Sequence, residues 1–262
     1  MIPAELSQGQ FDTVYNFLSL VIAAQLFTTI FLLASQRRVL PRYRQALVIS
    51  ATVTGIAAYH YFRIFDSFKH AFVTDAAGGK GTYVQAAGQS FNEGYRYVDW
   101  LLTVPLLVAE LILVLRLDKK VESKLIQRNV LYAFLMIATG YIGELDVQTS
   151  VVLDSSRTIW GAISTIFFVL ILRDLFGGIE ASFKRQSKEI QGIFKVLRVV
   201  LIATWGVYPI AYLLPTISTS LGLTAGDGLV LKQIGYTIAD ILAKPGYGLL
   251  IWKIATLKNS GR

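Results

Sequence analysis

Cysteine is absent from this chain of 262 residues, which excludes disulfides and thiolate metal sites. Charged residues are scarce, since they make up 16% of the sequence compared with ~25% in soluble domains. The two histidines, His60 and His70, form no recognised metal motif, so no metal site is predicted. Because 54% of the residues are hydrophobic and the mean hydropathy is +0.53, the composition predicts a protein with several membrane spans.

Long apolar runs recur along the whole chain and predict an all-α membrane protein, a bundle of seven transmembrane helices. Helices are expected because a membrane span must satisfy its own backbone, and the runs lack the alternation of barrel strands. The connections are too short for a second domain, so residues 1–262 are expected to form one transmembrane domain. The predicted spans are residues 11–35, 44–66, 95–116, 127–145, 157–177, 193–215 and 229–256.

Basic residues are concentrated in alternate connections between the spans. By the positive-inside rule these connections face the cytoplasm, which predicts an extracellular N-terminus and a cytoplasmic C-terminus. No basic residue precedes the first span, so we expect no cleavable signal peptide. The net charge of +8 follows from this topology and does not indicate binding of nucleic acid. The basic residues concerned are Arg37, Arg38, Arg42 and Arg44; Arg116, Lys119, Lys120, Lys124 and Arg128; Arg173, Lys184, Arg185 and Lys188; and Lys253, Lys258 and Arg262.

The longest connection, residues 67–92, contains two short pieces with β-favouring residues, HAFV and TYVQ. They flank the turn-forming segment AAGGKG. This pattern predicts an extracellular hairpin that caps the bundle.

Asp240 and Lys244 lie inside the last apolar run, one helical turn apart on one face. A lysine near the centre of a membrane helix costs at least ~2.5–3.5 kcal/mol, so its side chain is expected to face the bundle interior. The residues alone leave two interpretations open. The pair is either a structural ion pair at a helix contact, or a protonated imine at Lys244 with its counterion.

The third apolar run also contains charged side chains. Asp99 and Thr103 are one turn apart, and Glu110 lies about 20° from Asp99 around the helix and ~16 Å further along it. Two carboxyl groups at different depths on one face, with a hydroxyl between them, favour a proton relay across the membrane. Arg96 is expected to keep Asp99 ionised, and Glu110, among apolar neighbours, is expected to stay protonated at rest.

The run RYVDWLLTVP, residues 96–105, together with Asp240 and Lys244, resembles the microbial rhodopsins, in particular the proteorhodopsin and xanthorhodopsin group. The resemblance covers all seven spans. Each aromatic residue alone would indicate core packing, but their joint occurrence in order is specific. Residues matching the retinal-contacting positions of the family are Trp100 in span three, Met136 and Gly140 in LMIATG, Trp160, Ser164 and Thr165 in IWGAISTI, and Trp205, Tyr208 and Pro209 in ATWGVYPIAY.

The resemblance implies that Lys244 carries all-trans retinal as a protonated Schiff base, with Asp99 and Asp240 as counterions. It implies that Asp99 accepts the proton and that Glu110 returns one from the cytoplasmic side. Sodium pumps of the family carry Asn, Asp and Gln at positions 99, 103 and 110, and chloride pumps lack the acceptor carboxylate. The resemblance therefore implies an outward proton pump, not an enzyme, that passes several times through the inner or plasma membrane.

Three single residues refine this expectation. His60 would by itself indicate a core histidine, but its match to a histidine beside the counterion in proteorhodopsin-like members predicts a hydrogen bond to Asp99. Leu107 matches a colour-tuning position and implies absorption of green light. Gly161 stands where many members carry a second tryptophan. It indicates either a window for a hydroxylated carotenoid antenna, as in xanthorhodopsin-like members, or a close helix contact.

Two features depart from the family pattern or lack a match in it. Pro245 directly follows the lysine and should leave the carbonyl of Ile241 unpaired or bend the helix. No paired carboxylates for proton release are evident, and Glu144, Asp146 and Asp227 are the candidates.

The alternatives to an outward proton pump are a photosensor without net transport and a seven-helix transporter or receptor without a chromophore. The resemblance also implies a homo-oligomer, a trimer or a pentamer.

Overall fold

The computed structural model describes residues 2–75, 81–115, 117–146, 155–177, 184, 187–217 and 221–259, and these are mostly helical. A π-helical turn, Leu242–Gly246, joins the last two helices, so that these two helices and the turn run continuously and form the seventh span. Each predicted span falls on one of these helical runs, with position 116 outside the described residues. The helices are α1 (Gln8–Ser35), α2 (Pro41–Ala71), α3 (Gly94–Leu115), α4 (Lys119–Asp146), α5 (Ser155–Gly177), α6 (Lys188–Ile217), α7 (Ala225–Ile241) and α8 (Tyr247–Asn259).

Most successive helices pack side by side, and the last span closes the bundle. Helix α1 contacts α2, α2 contacts α3, α3 contacts α4, and α4 contacts α5. Helix α7 contacts both α6 and α1, which brings the end of the chain back to its beginning. The seventh span therefore has neighbours on several sides, and its polar side chains can meet those of α2, α3 and α6.

The outer surface of the bundle is apolar. Large side chains such as Phe27, Val199 and Ile210 are exposed there, as expected for a surface that faces lipid. By length and composition alone, four of the described helical segments could cross a membrane: Gln8–Arg38, Lys119–Leu145, Thr158–Gly177 and Lys188–Leu214. The other spans carry most of the buried polar and charged side chains described below.

A small antiparallel sheet lies at one end of the bundle. Strand β3 (Thr82–Gln85) lies between β2 (Phe72–Thr74) and β1 (Glu5–Ser7). The pairing of β2 with β3 confirms the predicted hairpin, although residues 76–80 of its turn lie outside the described residues. Strand β1 was not predicted, because three residues carry too little pattern to be recognised.

The sheet fixes the start of α1. Ser7 and Gln10 form a capping box at the first turn of the helix. One turn further on, the ring of Phe11 stacks on Tyr83 of β3 with 3.8 Å between ring centres. The hairpin therefore covers this end of α1, as a cap of the bundle should.

Candidate functional site

The amine of Lys244 lies between two carboxylates inside the bundle. Its Nζ is 2.5 Å from Oδ2 of Asp99 on α3 and 3.2 Å from Oδ1 of Asp240 on α7. All three side chains are at most 1% exposed. Buried charges persist only when they are paired and hydrogen-bonded, and here one cation faces two anions.

Lys244 projects from the π turn, and Pro245 explains why the turn is there. Proline has no backbone N–H, so an α-helix would leave the carbonyl of Ile241 without its donor. In the structure the helix adopts the five-residue register, in which the N–H of Tyr247 donates to the carbonyl of Leu242. This register assigns the backbone N–H of position 246 to the carbonyl of Ile241. The sequence predicted an unpaired carbonyl at Ile241 or a bend, whereas the structure has a π turn, with one extra residue in a continuous helix.

Two tyrosine hydroxyls donate to the carboxylate of Asp240. Tyr61 on α2 lies 2.5 Å from Oδ2, and Tyr208 on α6 lies 2.5 Å from Oδ1. Hydrogen bonds to charged acceptors contribute about 1.5–3 kcal/mol each. Sequence reasoning singled out Tyr208 as a wall residue and missed Tyr61. The one feature of the sequence that pointed to Tyr61 was its place in the aromatic run around the neighbouring His60.

His60 is buried on α2, but it does not form the predicted hydrogen bond to Asp99. Its Nδ1 and the Oδ1 of Asp99 are both buried without a hydrogen-bond partner. The ring instead meets Tyr59 edge-on, with 5.2 Å between ring centres. Consecutive residues on a helix point about 100° apart, and on α2 it is Tyr61 that faces the counterion carboxylates.

Arg96 is buried and reaches Asp240 through a single hydroxyl. Its NH1 donates to Oη of Tyr61 at 2.8 Å, and its NH2 donates to Oε1 of Gln233. The guanidinium also lies over the ring of Tyr236, 4.8 Å from the ring centre. The positive charge of Arg96 offsets the excess negative charge of the two carboxylates around the lysine.

Glu110 is fully buried further along α3. The hydroxyl of Ser50 on α2 lies 2.5 Å from its Oε1, whereas its Oε2 has no hydrogen-bond partner. Within the described part of the chain, no basic side chain forms an ion pair with it. Thr103, between Asp99 and Glu110, donates to the backbone carbonyl of Asp99 at 2.8 Å, so its hydroxyl does not link the two carboxyl groups.

A cavity of ≈ 330 Å³ begins at Lys244 and extends between α3, α4, α5 and α6. Its volume lies in the range of about 300–1,000 Å³ that is typical of small-molecule sites. An apolar, aromatic slot that ends at a buried amine fits retinal, because a polyene needs apolar walls and its aldehyde needs an amine. The predicted residues that line the cavity are Trp100, Leu107, Met136, Gly140, Gly161, Ser164, Thr165, Trp205, Tyr208 and Pro209.

Trp160, predicted as a further contact in this cavity, does not line it. Its Cβ packs toward α4, 3.0 Å from the position that a Cβ at Gly143 would take. Trp160 and Gly161 point about 100° apart on α5, so the helix face that turns Gly161 to the cavity turns Trp160 to α4. The ring of Tyr212 on α6 lies 3.1 Å from the position of a Cβ at Gly161.

A second group of buried charges lies where α3 begins. The Nζ of Lys232 on α7 is 2.7 Å from Oε2 of Glu93 and 3.4 Å from Oε1 of Glu144. The amide of Gln233 donates to Glu93 at 2.7 Å and accepts from Arg96. Of these residues only Glu144 and Arg96 were singled out in the sequence, because Lys232 and Glu93 lie near the ends of apolar runs.

The other two candidates for proton release differ from Glu144. Asp227 forms a capping box with Thr224 at the start of α7 and accepts from Nε2 of Gln10 at 2.9 Å. Its position indicates a helix cap that also ties α7 to α1. The side chain of Asp146 lies outside the described residues.

Comparison with known proteins agrees with this geometry. A family model, bacteriorhodopsin-like protein, matches residues 12–258. Green-light absorbing proteorhodopsin from Gamma-proteobacterium EBAC31A08 is 29% identical over 247 residues, which are 92% of this chain and 86% of that protein.

Two solved structures are similar over the whole chain. Xanthorhodopsin, described as a light-driven ion pump with dual chromophore, superposes with a TM-score of 0.89 at 42% identity, covering 100% of this chain and 98% of that one. A thermophilic rhodopsin superposes with a TM-score of 0.88 at 41% identity, covering 100% and 99%.

Proposed function

The chain belongs to the bacteriorhodopsin-like family, as a microbial rhodopsin of the proteorhodopsin and xanthorhodopsin type, and we propose that it uses light to move protons out of the cell. Proteins of this type are multi-pass proteins of the cell membrane. Residues 1–262 would act as one retinal-binding transmembrane domain. The observation that carries the proposal is the 2.5 Å contact between the buried amine of Lys244 and Asp99, with a second buried acid, Glu110, on the same helix.

Retinal in its all-trans form, joined to Nζ of Lys244 as a protonated Schiff base, would supply the absorption of visible light and the isomerisation that drives the cycle. Trp100 and Trp205 form walls of its cavity, and Tyr208 and Tyr236 add aromatic surface near the lysine. The lining is mostly apolar, and the polar groups nearest to the lysine nitrogen are the carboxylates of Asp99 and Asp240. A proton on that nitrogen therefore meets side-chain carboxylates before it meets solvent.

The surroundings of the two carboxylates favour Asp99 over Asp240 as the acceptor. Both oxygens of Asp240 already accept tyrosine hydroxyls, which orient and satisfy this carboxylate. Asp99 is closer to Nζ, at 2.5 Å compared with 3.2 Å, and its Oδ1 is unpartnered. The proton of Lys244 can thus pass directly to Oδ2 of Asp99, while Asp240 remains as the fixed counterion.

Glu110 is suited to return a proton to the lysine nitrogen. It is fully buried, and the hydroxyl of Ser50 orients one of its oxygens. It lies on the half of α3 that leads to Lys119 and Lys120, which the positive-inside rule assigns to the cytoplasm. Release on the side of Asp99 and return from the side of Glu110 together move a proton outward. The N-terminus is then extracellular and the C-terminus cytoplasmic.

The first test is whether the lysine binds the chromophore. Purified protein given all-trans retinal should develop a visible band, which hydroxylamine in light should remove. Lys244→Ala should stay colourless, whereas Lys253→Ala, which removes an exposed lysine of α8, should colour normally. Colour in Lys244→Ala would refute the assignment of Lys244 as the residue that binds retinal. If the unmodified protein stays colourless, a transporter or receptor without a chromophore is favoured.

A photosensor without net transport is the alternative within the family. The buried carboxyl group of Glu110 on the return side favours the pump, because a sensor does not need a proton donor there. Illumination of a cell suspension distinguishes the two, since only a pump changes the pH of the medium steadily.

The family resemblance also leads us to expect a trimer or pentamer, and the mass of the detergent-solubilised protein would test this expectation.

A carotenoid antenna at Gly161 is a further part of the proposal. Gly161 lines the retinal cavity, and the structural similarity to xanthorhodopsin, with its dual chromophore, supports the idea. A hydroxylated carotenoid should then transfer excitation energy to retinal, and Gly161→Trp should abolish the transfer. Gly206→Trp, at a site where nothing lies within 4 Å of an added Cβ, is the control. Absence of transfer in the unmodified protein would remove the antenna.

A further inference from the structure

Lys232 is a buried cation that the proposed proton path does not use. Its side chain is 7% exposed, and those of Glu93 and Glu144 are 16% and 14% exposed. The ammonium lies between the two carboxylates, 2.7 Å from the first and 3.4 Å from the second. The two acids come from different parts of the chain, one just before α3 and one near the end of α4, and Lys232 holds them together.

This cluster is connected to the counterion Asp240 by a continuous series of hydrogen bonds. Gln233 donates to Glu93 at 2.7 Å and accepts from Arg96. Arg96 donates to Tyr61 at 2.8 Å, and Tyr61 donates to Asp240 at 2.5 Å. The cluster therefore lies on a direct polar route from the centre of the bundle to the end where α3 begins.

The groups that face the cluster from the surrounding helices can be named. Tyr236 of α7 faces Lys232, with 5.8 Å from Nζ to the ring centre, and Tyr97 of α3 lies 3.5 Å from Oε2 of Glu144. Burial opposes the charged form of Glu93, but the charges of Lys232 and Arg96 outweigh burial, and the pKa of Glu93 lies below its usual value. Glu93 is accordingly a carboxylate at neutral pH.

We propose that the ammonium of Lys232 takes the place of a shared proton between Glu93 and Glu144, so that this pair holds no releasable proton in the resting protein. Two buried carboxylates held close together without a cation between them are unfavourable when both are ionised, and sharing a proton relieves the repulsion. With Lys232 between them, the positive charge of its ammonium takes the place of that proton. The consequence for transport rests on the proposed function: the proton exported in each cycle is the one delivered to Asp99, not one stored at the exit.

Infrared spectra of the resting protein in the dark test the proposal. At neutral pH the Lys232→Met protein should gain one protonated carboxyl group per molecule, which Lys232→Arg and the exposed-site control Lys253→Met should lack. Adding Glu93→Gln or Glu144→Gln to Lys232→Met should remove the gain, because the proton belongs to the pair. No gain in Lys232→Met, or a gain that survives both additions, would overturn the proposal.

A second comparison covers the case in which Lys232→Met does not fold, shown by its failure to colour with retinal. Glu93→Gln alone should then lose no protonated carboxyl band relative to the unmodified protein. Loss of such a band would show that the pair already holds a proton beside Lys232, and would overturn the inference. These dark spectra do not depend on transport. If the protein moves no protons, the proposed function is refuted, but the inference about Lys232 can still be tested by the spectra.

Illumination provides a further readout that a purely structural role of Lys232 would not change. With a pH-sensitive dye in the medium, Lys232→Met should release a proton earlier in the cycle than the unmodified protein does. The release should return to its original timing when Glu144→Gln is added. Unchanged timing in a coloured Lys232→Met protein would contradict a stored proton in the pair.

Discussion

Replacing Glu110 by glutamine tests the return half of the proton path most sharply. The substitution keeps the size and polarity of the side chain and removes its proton. Glu110 is fully buried, and its only hydrogen bond in the structure is with Ser50, so within the described residues no second acid stands ready to replace it. Return of a proton to the nitrogen of Lys244 should therefore depend on protons that arrive from bulk solvent.

The expected magnitude follows from the loss of a positioned general acid. Such a group contributes about 10²–10⁴ in rate, which corresponds to about 3–5 kcal/mol in the barrier. The pH dependence should also change. With Glu110 as the donor, the return should be nearly independent of pH around neutrality, because a carboxyl group buried among apolar side chains is expected to hold its proton at rest. In Glu110→Gln the rate should fall about tenfold per pH unit, in proportion to the proton concentration.

The assay is flash absorption spectroscopy, in which recovery of the visible band after its transient loss reports the return of the proton to Lys244. Glu189→Gln, an exposed glutamate in the first turn of α6, is the matched control and should recover at the normal rate. A permeant weak acid should restore the rate in Glu110→Gln. Recovery within twofold of the unmodified protein, or equal slowing in the control, would refute Glu110 as the donor.

Three further substitutions test other parts of the structure. Tyr208→Phe removes a 2.5 Å hydrogen bond to ionised Asp240 and should destabilise the coloured protein by about 1.5–3 kcal/mol in denaturant; an unchanged midpoint would contradict that bond. Gly248→Ala would place a Cβ 2.8 Å from Oγ of Ser50 and should cost about 1–3 kcal/mol and slow recovery of the band; a variant with normal stability would show that the helices are not so close. Leu107→Gln puts an amide dipole in the wall of the retinal cavity and should move a green absorption maximum toward blue, and an unmoved maximum would exclude the position from colour tuning.

The seven helices and the central ionisable residues could be predicted from the sequence for one physical reason. A charged side chain inside an apolar run is costly, so Asp99, Glu110, Asp240 and Lys244 stood out, and the separation of Asp240 and Lys244 by one turn is fixed by helix geometry. The structure adds that Asp99, from another helix, is the nearer of the two carboxylates to Lys244.

The partners that depend on packing between helices could not be predicted in this way. Tyr61 meets Asp240 because of the rotation of α2 about its axis, which one sequence does not reveal, and in this rotation His60 forms no hydrogen bond with Asp99. Glu93 and Lys232 are 139 positions apart and lie near the ends of apolar runs, where single charges are ordinary. Only the fold shows that they are buried together.

Light-driven acidification by intact cells tests the central claim most directly. Cells that produce the protein with retinal, illuminated in unbuffered medium, should lower the external pH, and a protonophore should abolish the change. Asp99→Asn cells at matched protein levels should produce none. No pH change, a rise in pH, or a fall that survives the protonophore would contradict an outward proton pump.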